Sequence, residues 1–326
     1  MPRYLCLLQC CPRLSKYPAM ASLSHRQGWS LAVLLAIFPC FLCARAENDA
    51  PEITYRTGTS EVRVTFFATD ENNRLLQAID RNDFAVVDGE MVIRDFRSLT
   101  RSDETKLDIV VLVDASESVA PRFHTTAEQV LHLISHNHPG DDLSIITFAG
   151  LRPTVLCSAD CGGGFIASKI RSLTPAGATP LFDSLAFSTR YIAERHTAGV
   201  RQVLILLSDG NDTISGSSAR QVLDAVIGTG ALLYTINPNK PARDVKGSFL
   251  LAEMAEATGG RSFSAQDDAD ATAVLEAALA DLRASYVVTY PLPSRTAGFH
   301  SLRILPKHNL NLRFHCRRGY FYDEGR

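Results

Sequence analysis

The chain has 326 residues, 46% hydrophobic and 21% charged, enough apolar material for a sizeable core, which excludes disorder or low-complexity structure for its bulk. At this length, two domains or one large domain with a smaller companion are expected. Lys and Arg number 33 against 35 Asp and Glu, a formal net charge of -2, so the chain as a whole does not attract a phosphate backbone and nucleic-acid binding is set aside.

The first 46 residues stand apart. They hold five basic residues (Arg3, Arg13, Lys16, Arg26, Arg45), no acidic one, and an uncharged apolar run from Leu31 to Cys43 that ends in Ala44-Arg45-Ala46. A basic start, a short apolar run and a small-x-small ending predict a secretory signal with a mature start at Glu47, and so an exported protein, periplasmic or secreted. Met20 is an alternative start. The run is shorter than the roughly 18 residues of a membrane span, and an uncleaved anchor is the competing reading. Without residues 1–46, 28 basic face 35 acidic residues, near -7, and the eight cysteines fall to Cys157, Cys161 and Cys316. In an oxidising compartment the close spacing of Cys157 and Cys161 favours a local disulfide, leaving Cys316 free.

From Ile53 to Phe96 apolar residues alternate, with Val62, Val64 and Phe66 on one side of a strand, turns at Asp70-Glu71-Asn72-Asn73 and Asp88-Gly89, and Phe84 and Val86 between them. This predicts a small antiparallel unit with too few strands to bury both faces alone. From Leu107 the pattern changes to short continuous apolar runs, Ile109–Val113, Leu143–Phe148, Val203–Leu207 and Leu232–Ile236, as in a parallel sheet covered on both faces. Helical stripes lie between and after them: Phe123, Ala127, Val130, Leu131 and Ile134, then Leu275, Ala278, Leu279 and Leu282 behind an acidic start at Asp267–Asp270. Strand patterns return at Tyr286–Tyr290, Leu302 with Ile304, and Leu310, Leu312 with Phe314. The predicted fold is α/β: a doubly wound, mostly parallel sheet over residues 106–284, inserted into a small β-sandwich built from amino-terminal (47–105) and carboxy-terminal (285–326) strands.

In an open α/β sheet ligands bind beyond the carboxyl ends of the strands. There the first run ends Asp114-Ala115-Ser116-Glu117-Ser118, and the run Val203–Leu207 ends Ser208-Asp209-Gly210. Thr179 lies in the loop Ala176-Gly177-Ala178-Thr179-Pro180, ahead of a helix that contains Leu181 and Leu185. Asp114, Ser116, Ser118, Thr179 and Asp209 are five hard oxygen donors without sulfur or imidazole, a set suited to Mg²⁺, with Mn²⁺ or Ca²⁺ as alternatives. The plainer reading is that the aspartates cap loops and helices.

The Asp-x-Ser-x-Ser, Thr and Ser-Asp-Gly elements, in this order, resemble the metal-ion-dependent adhesion site of the Rossmann-like von Willebrand factor A domains. That resemblance implies direct ligation by Ser116, Ser118 and Thr179 and action largely through water by Asp114 and Asp209. It also implies a protein partner whose acidic side chain completes the coordination, and no catalytic residue. Glu117 departs from the pattern, standing where many members have Gly. The flanks, including Asp83–Gly89, Tyr286–Tyr290, His300–Ile304 and Arg317–Phe321, resemble the exported von Willebrand A-related proteins of Acidobacteria, for which no enzymatic activity is implied.

Other signals carry less. His132 and His136 have the i, i+4 spacing of a zinc pair but lack the accompanying Glu, so a solvated helix face is expected. No Gly-x-Ser-x-Gly occurs, Cys161-Gly162-Gly163-Gly164 lacks the spacing and Lys of a phosphate loop, and Asp209-Gly210-Asn211-Asp212 lacks the remaining ligands of a calcium loop. Arg313, Arg317 and Arg318 are read as a solvated strand edge. The expectation is a binding module and not an enzyme, with contact to a membrane only through an uncleaved amino terminus. Its rivals are a metal-dependent hydrolase, for which Glu117 is the general base within reach, and a structural module whose metal only orders loops.

Overall fold

A computed structural model of the protein describes residues 61–239, 245–264 and 268–323. The signal segment, the start at Glu47 and the anchor alternative lie outside the described residues. Among those described, no helix is long and apolar enough to cross a membrane.

The amino-terminal unit supplies β1 (Glu61–Thr69), β2 (Phe84–Asp88), β3 (Met91–Ile93) and β4 (Ser98–Arg101). Asp70 shapes the turn after β1 by accepting from the amides of Asn72 and Arg74. Every residue of β5 (Leu107–Asp114) is buried, as its unbroken apolar run requires of a strand covered on both faces. It is followed by a short 3₁₀ turn (Glu117–Arg122), α1 (Phe123–His136), β6 (Asp142–Ala149), β7 (Arg152–Cys157), α2 (Gly164–Arg171) and α3 (Leu181–Glu194). The domain continues through β8 (Arg201–Leu207), α4 (Ala219–Thr229), β9 (Leu232–Asn237), α5 (Val245–Thr258), β10 (Ser262–Ser264) and α6 (Asp268–Arg283).

Their sheet has the order β10-β9-β8-β5-β6-β7, parallel except for the β6–β7 edge. Alternate residues of β5 feed two cores. Ile109, Val111 and Val113 pack with Val130 and Leu133 of α1, Ile170 of α2 and Leu282 of α6. Val110 and Leu112 pack with Leu185 of α3, Val226 of α4 and Leu251 of α5. The chain leaves β5 for β6 on one side and returns through β8 on the other, so the strand order reverses at β5 and opens a crevice at the carboxyl ends of β5 and β8.

The sequence-based expectation of a sandwich from both ends holds. After α6 come β11 (Tyr286–Pro291), β12 (Gly298–Pro306), β13 (Arg313–Cys316) and β14 (Gly319–Tyr322). One sheet runs β13-β1-β11-β4 and the other β14-β12-β2-β3, so each mixes strands from the two ends of the chain. Val64 lies opposite Val288, and Val86 opposite Ile304. Their shared core contains Val62, Phe66, Phe84, Val288, Tyr290 and Leu302. The sandwich docks on α5, where the amide of Arg318 donates to the carbonyl of Ala257 over 2.8 Å.

Two minor expectations are corrected. Arg317 does not form a solvated patch with its neighbours: its guanidinium lies 5.5 Å from the centre of the Tyr320 ring and donates to the carbonyl of Arg63. His132 is half-buried rather than solvated, stacked on His136 with ring centres 4.0 Å apart and 3.6 Å from the carboxylate of Glu276.

Candidate metal centre

The three candidate loops meet at the crevice. Asp114 is the last residue of β5 and fully buried; its Oδ1 accepts from the amide of Ser116 (2.9 Å) and its Oδ2 from the hydroxyl of Ser208 (2.7 Å). The Asp114 bond turns the chain sharply, which brings the hydroxyls of Ser116 and Ser118 to 3.1 Å from each other. Ser116 is buried and Ser118 exposed, so the pair spans the boundary between core and solvent. Glu117 points its exposed side chain outward, while its amide donates to the carbonyl of Gly177.

The Thr179 loop is tied to the β5 loop by that bond and by Ala176 donating to the carbonyl of Ala115. It is tied to the β6–β7 turn by Gly150 donating to the carbonyl of Ala178. Thr179 itself is almost fully buried, and its backbone bonds Thr213 on both sides: its amide donates to the Thr213 hydroxyl (2.7 Å) and its carbonyl accepts from the Thr213 amide (3.0 Å).

Asp209 follows β8 and is buried, with Oδ1 accepting from the amide of Asn211 and Oδ2 facing the amide group of Asn239 at 3.5 Å. Gly210 is required here. Its φ is +84°, and a Cβ would stand 2.6 Å from the carbonyl oxygen of Gly247, so only glycine lets the first turn of α5 close against the loop.

Burial drives the electrostatics. It pushes the Asp114 carboxyl up to about 6, against the bonds from Ser116 and Ser208, and the like charge of Asp209 pushes the same way. Neither aspartate forms an ion pair with a described Lys, Arg or His. Among the described residues the two buried carboxylates have only neutral donors around them, so their negative charge is not answered there. No group of three or more His, Cys, Asp or Glu able to hold a metal occurs among the described residues. Asp114, Asp209, Ser116, Ser118 and Thr179 offer carboxylate and hydroxyl oxygens, chemistry that fits a hard divalent cation.

Sequence reasoning gave no role to Ser208, Thr213 or Asn239. Ser208 was visible inside the Ser-Asp-Gly element, but its bond to Asp114 spans 94 positions and leaves no local signal. Cys157 and Cys161 are disulfide-linked, with Cα atoms 5.5 Å apart, and Cys316 is free, its thiol pushed up to about 11 by burial.

Residues 109–211 match the von Willebrand factor type A domain. No curated protein gives a significant match. Among solved structures, the chain is similar to an aerotolerance-related membrane protein from Bacteroides fragilis, with 15% identity over 54% of this chain and 98% of that one and a TM-score of 0.42. The conserved hypothetical protein BatB from Bacteroides thetaiotaomicron gives 16% identity, 54% and 99% coverage and a TM-score of 0.42. Proximal thread matrix protein 1 from the mussel byssus gives 18% identity over 64% of this chain and 51% of its own length, with a TM-score of 0.45. The stretch that matches the von Willebrand factor type A domain, residues 109–211, contains Asp114, Ser116, Ser118, Thr179 and Asp209.

Proposed function

We propose that the protein is an exported binding module that engages an acidic protein partner through a divalent cation, Mg²⁺ first, at an adhesion site. A von Willebrand A domain points to a protein-interaction or adhesion role. The observation that carries the finer reading is the pair of buried aspartates with no counter-charge among the described residues, on loops that also bring the hydroxyls of Ser116 and Ser118 together at the crevice. Ser116, Ser118 and Thr179 would hold the ion directly. Asp114, whose two oxygens are already engaged by Ser116 and Ser208, suits contact through water, and Asp209 the same. When bound, the cation supplies an electrophilic position that a partner's Asp or Glu completes. With both aspartates acting through water, the direct ligands are neutral hydroxyls, so the ion stays electrophilic and favours an incoming carboxylate.

A hydrolase would need a base held beside the ion. Glu117, the residue within reach in the chain, has an exposed side chain, which gives that reading little support.

Calorimetric titration of the metal-free protein with Mg²⁺ and Mn²⁺ tests the proposal. Binding should be measurable in the wild type and absent in Asp209→Ala. A pull-down from the cell envelope should recover a partner in Mg²⁺ and lose it in EDTA. Thr179→Ala should weaken partner binding by about 1 to 3 kcal/mol, the scale of a lost charge-assisted contact, more than it weakens Mg²⁺ binding. Absence of metal binding by the wild type, or partner capture indifferent to EDTA, would leave the structural module as the better account.

A further inference from the structure

The loop that follows Asp209 folds back over the start of α3, the helix that Thr179 precedes. At the amino terminus of α3 the N-cap residue is Pro180, which offers no side-chain cap, so the first amides of the helix need acceptors from elsewhere. They come from the later loop. Asp212 Oδ1 accepts from the amide of Phe182 (3.4 Å) and the hydroxyl of Ser215 from the amide of Asp183 (3.1 Å). The service is returned: the two carboxylate oxygens of Asp183 accept from the amides of Gly216 and Ser217, each at 2.9 Å. Between these bonds and the crevice sits the two-sided bridge of Thr179 and Thr213. It uses the backbone of Thr179 and leaves its hydroxyl out.

We infer that Asp183, Asp212 and Thr213 are positioning residues, a clasp that presets the Thr179 arm of the site against the Asp209 arm before any ion or partner binds. Asp183 and Asp212 are thereby assigned away from ligation: their oxygens are spent on helix and loop amides. The consequence for metal affinity rests on the function proposed above, because a preset arm spares the ion the ordering of a loop and a loosened one does not. The placement of the arm itself is a property of the metal-free protein.

The experiment combines amide hydrogen exchange of the metal-free protein with Mg²⁺ titration, on Thr213→Val, Thr213→Ser, Asp183→Asn and Ser218→Ala. Thr213→Val keeps the shape and loses the acceptor; Thr213→Ser restores it. Ser218→Ala removes the capping box of α4, just beyond the clasp, and reports ordinary loss of stability. In the wild type the amides of Thr179, Gly216 and Ser217 should be protected. Thr213→Val should expose Thr179, Asp183→Asn should expose Gly216 or Ser217, and each should weaken Mg²⁺ binding by about tenfold, as loss of outer partners does at metal sites. Thr213→Ser should recover both readouts, and Ser218→Ala should lower the melting temperature and change neither. Unchanged Thr179 protection in Thr213→Val would overturn the clasp, and so would Mg²⁺ affinity that merely follows melting temperature across all four variants. If the wild type binds no Mg²⁺, the metal proposal fails and the exchange pattern alone decides the clasp.

Discussion

The sandwich and the crevice each bury aspartate, and they treat it in opposite ways. In the sandwich Asp88 Oδ2 accepts from the hydroxyls of Tyr290 and Tyr320, both at 2.9 Å, and Nδ1 of His300 stands 3.9 Å from Oδ1. Arg317, over the Tyr320 ring, adds a positive charge close enough to interact with Asp88. Oδ1 itself has no hydrogen bond among the described residues. At the crevice, among the described residues, Asp114 and Asp209 meet only neutral donors and each other. A carboxylate answered by donors and a cation of its own chain serves the fold. The pair at the crevice is where the proposed ion would sit.

Stripping the answered site should cost most. The double variant Tyr290→Phe, Tyr320→Phe leaves the Asp88 carboxylate buried without a hydroxyl partner, and about 3 to 5 kcal/mol of stability should be lost in EDTA and in Mg²⁺ alike. Urea denaturation in the two buffers measures it. A loss of less than about 1 kcal/mol would show that water already reaches Asp88 and would dissolve the contrast.

Asp209→Ala should act on the metal-bound state instead. Saturating Mg²⁺ stabilises a binding-competent protein by about 2.7 kcal/mol at a hundred times the dissociation constant. That increment should vanish in the variant while stability in EDTA stays within about 1 kcal/mol of the wild type. Retention of the increment would place the ion elsewhere.

Asp114→Asn sharpens the same point in the other direction. The folded protein holds this carboxyl near 6 where an unfolded chain has 3.8, so at pH 7 the ionised group weighs against the folded state. The amide can still accept from Ser116 and pair with Ser208. The variant should gain about 1 to 3 kcal/mol in EDTA and lose the Mg²⁺ response, whereas the same exchange at Asp88 should destabilise. Equal losses at both positions would mean that both aspartates are structural.

How much of this was legible in the sequence follows from the range of the interactions. The buried strands were, because a strand covered on both faces is an unbroken apolar run in one stretch of chain, as Ile109–Val113 shows. Asp114, Ser116 and Asp209 could be singled out because strand ends mark the crevice edge. The edge strand β7, largely exposed or half-buried, lacks such a run and left no clear pattern. Asp88 read as half of an Asp-Gly turn, and Gly89 does take a φ of +59°. Its partners lie 202 and 232 positions away, which no local pattern announces. The clasp was hidden likewise: Asp183 and Asp212 are common polar residues, and only the fold brings their separate loops together.

The smallest effect concerns the seam between the two regions. His315 of β13 lies flat against Phe67 of β1, with ring centres 4.6 Å apart, and its Nε2 is 3.0 Å from the hydroxyl of Thr69. Phe67 belongs to the core of the central sheet, so the stack ties sandwich to domain. Burial, with Arg261 and Arg313 nearby, drives the imidazole down to about 4 from 6.5. The folded state therefore keeps His315 neutral where the unfolded chain would protonate it. Its stabilisation is complete above pH 6.5 and is lost as pH falls from 6.5 towards 4. Because the ring is only partly buried, the loss by pH 5 should be about 1 to 2 kcal/mol, after discounting for solvent. His315→Gln should be less stable than the wild type at pH 8, having lost the stack, but should lack this acid-dependent decline. Stability curves in EDTA, with Asp114→Asn as the common background to silence the crevice, measure it. A variant curve that runs parallel to its parent between pH 8 and 5 would remove His315 as the titrating group and leave the seam held by packing alone.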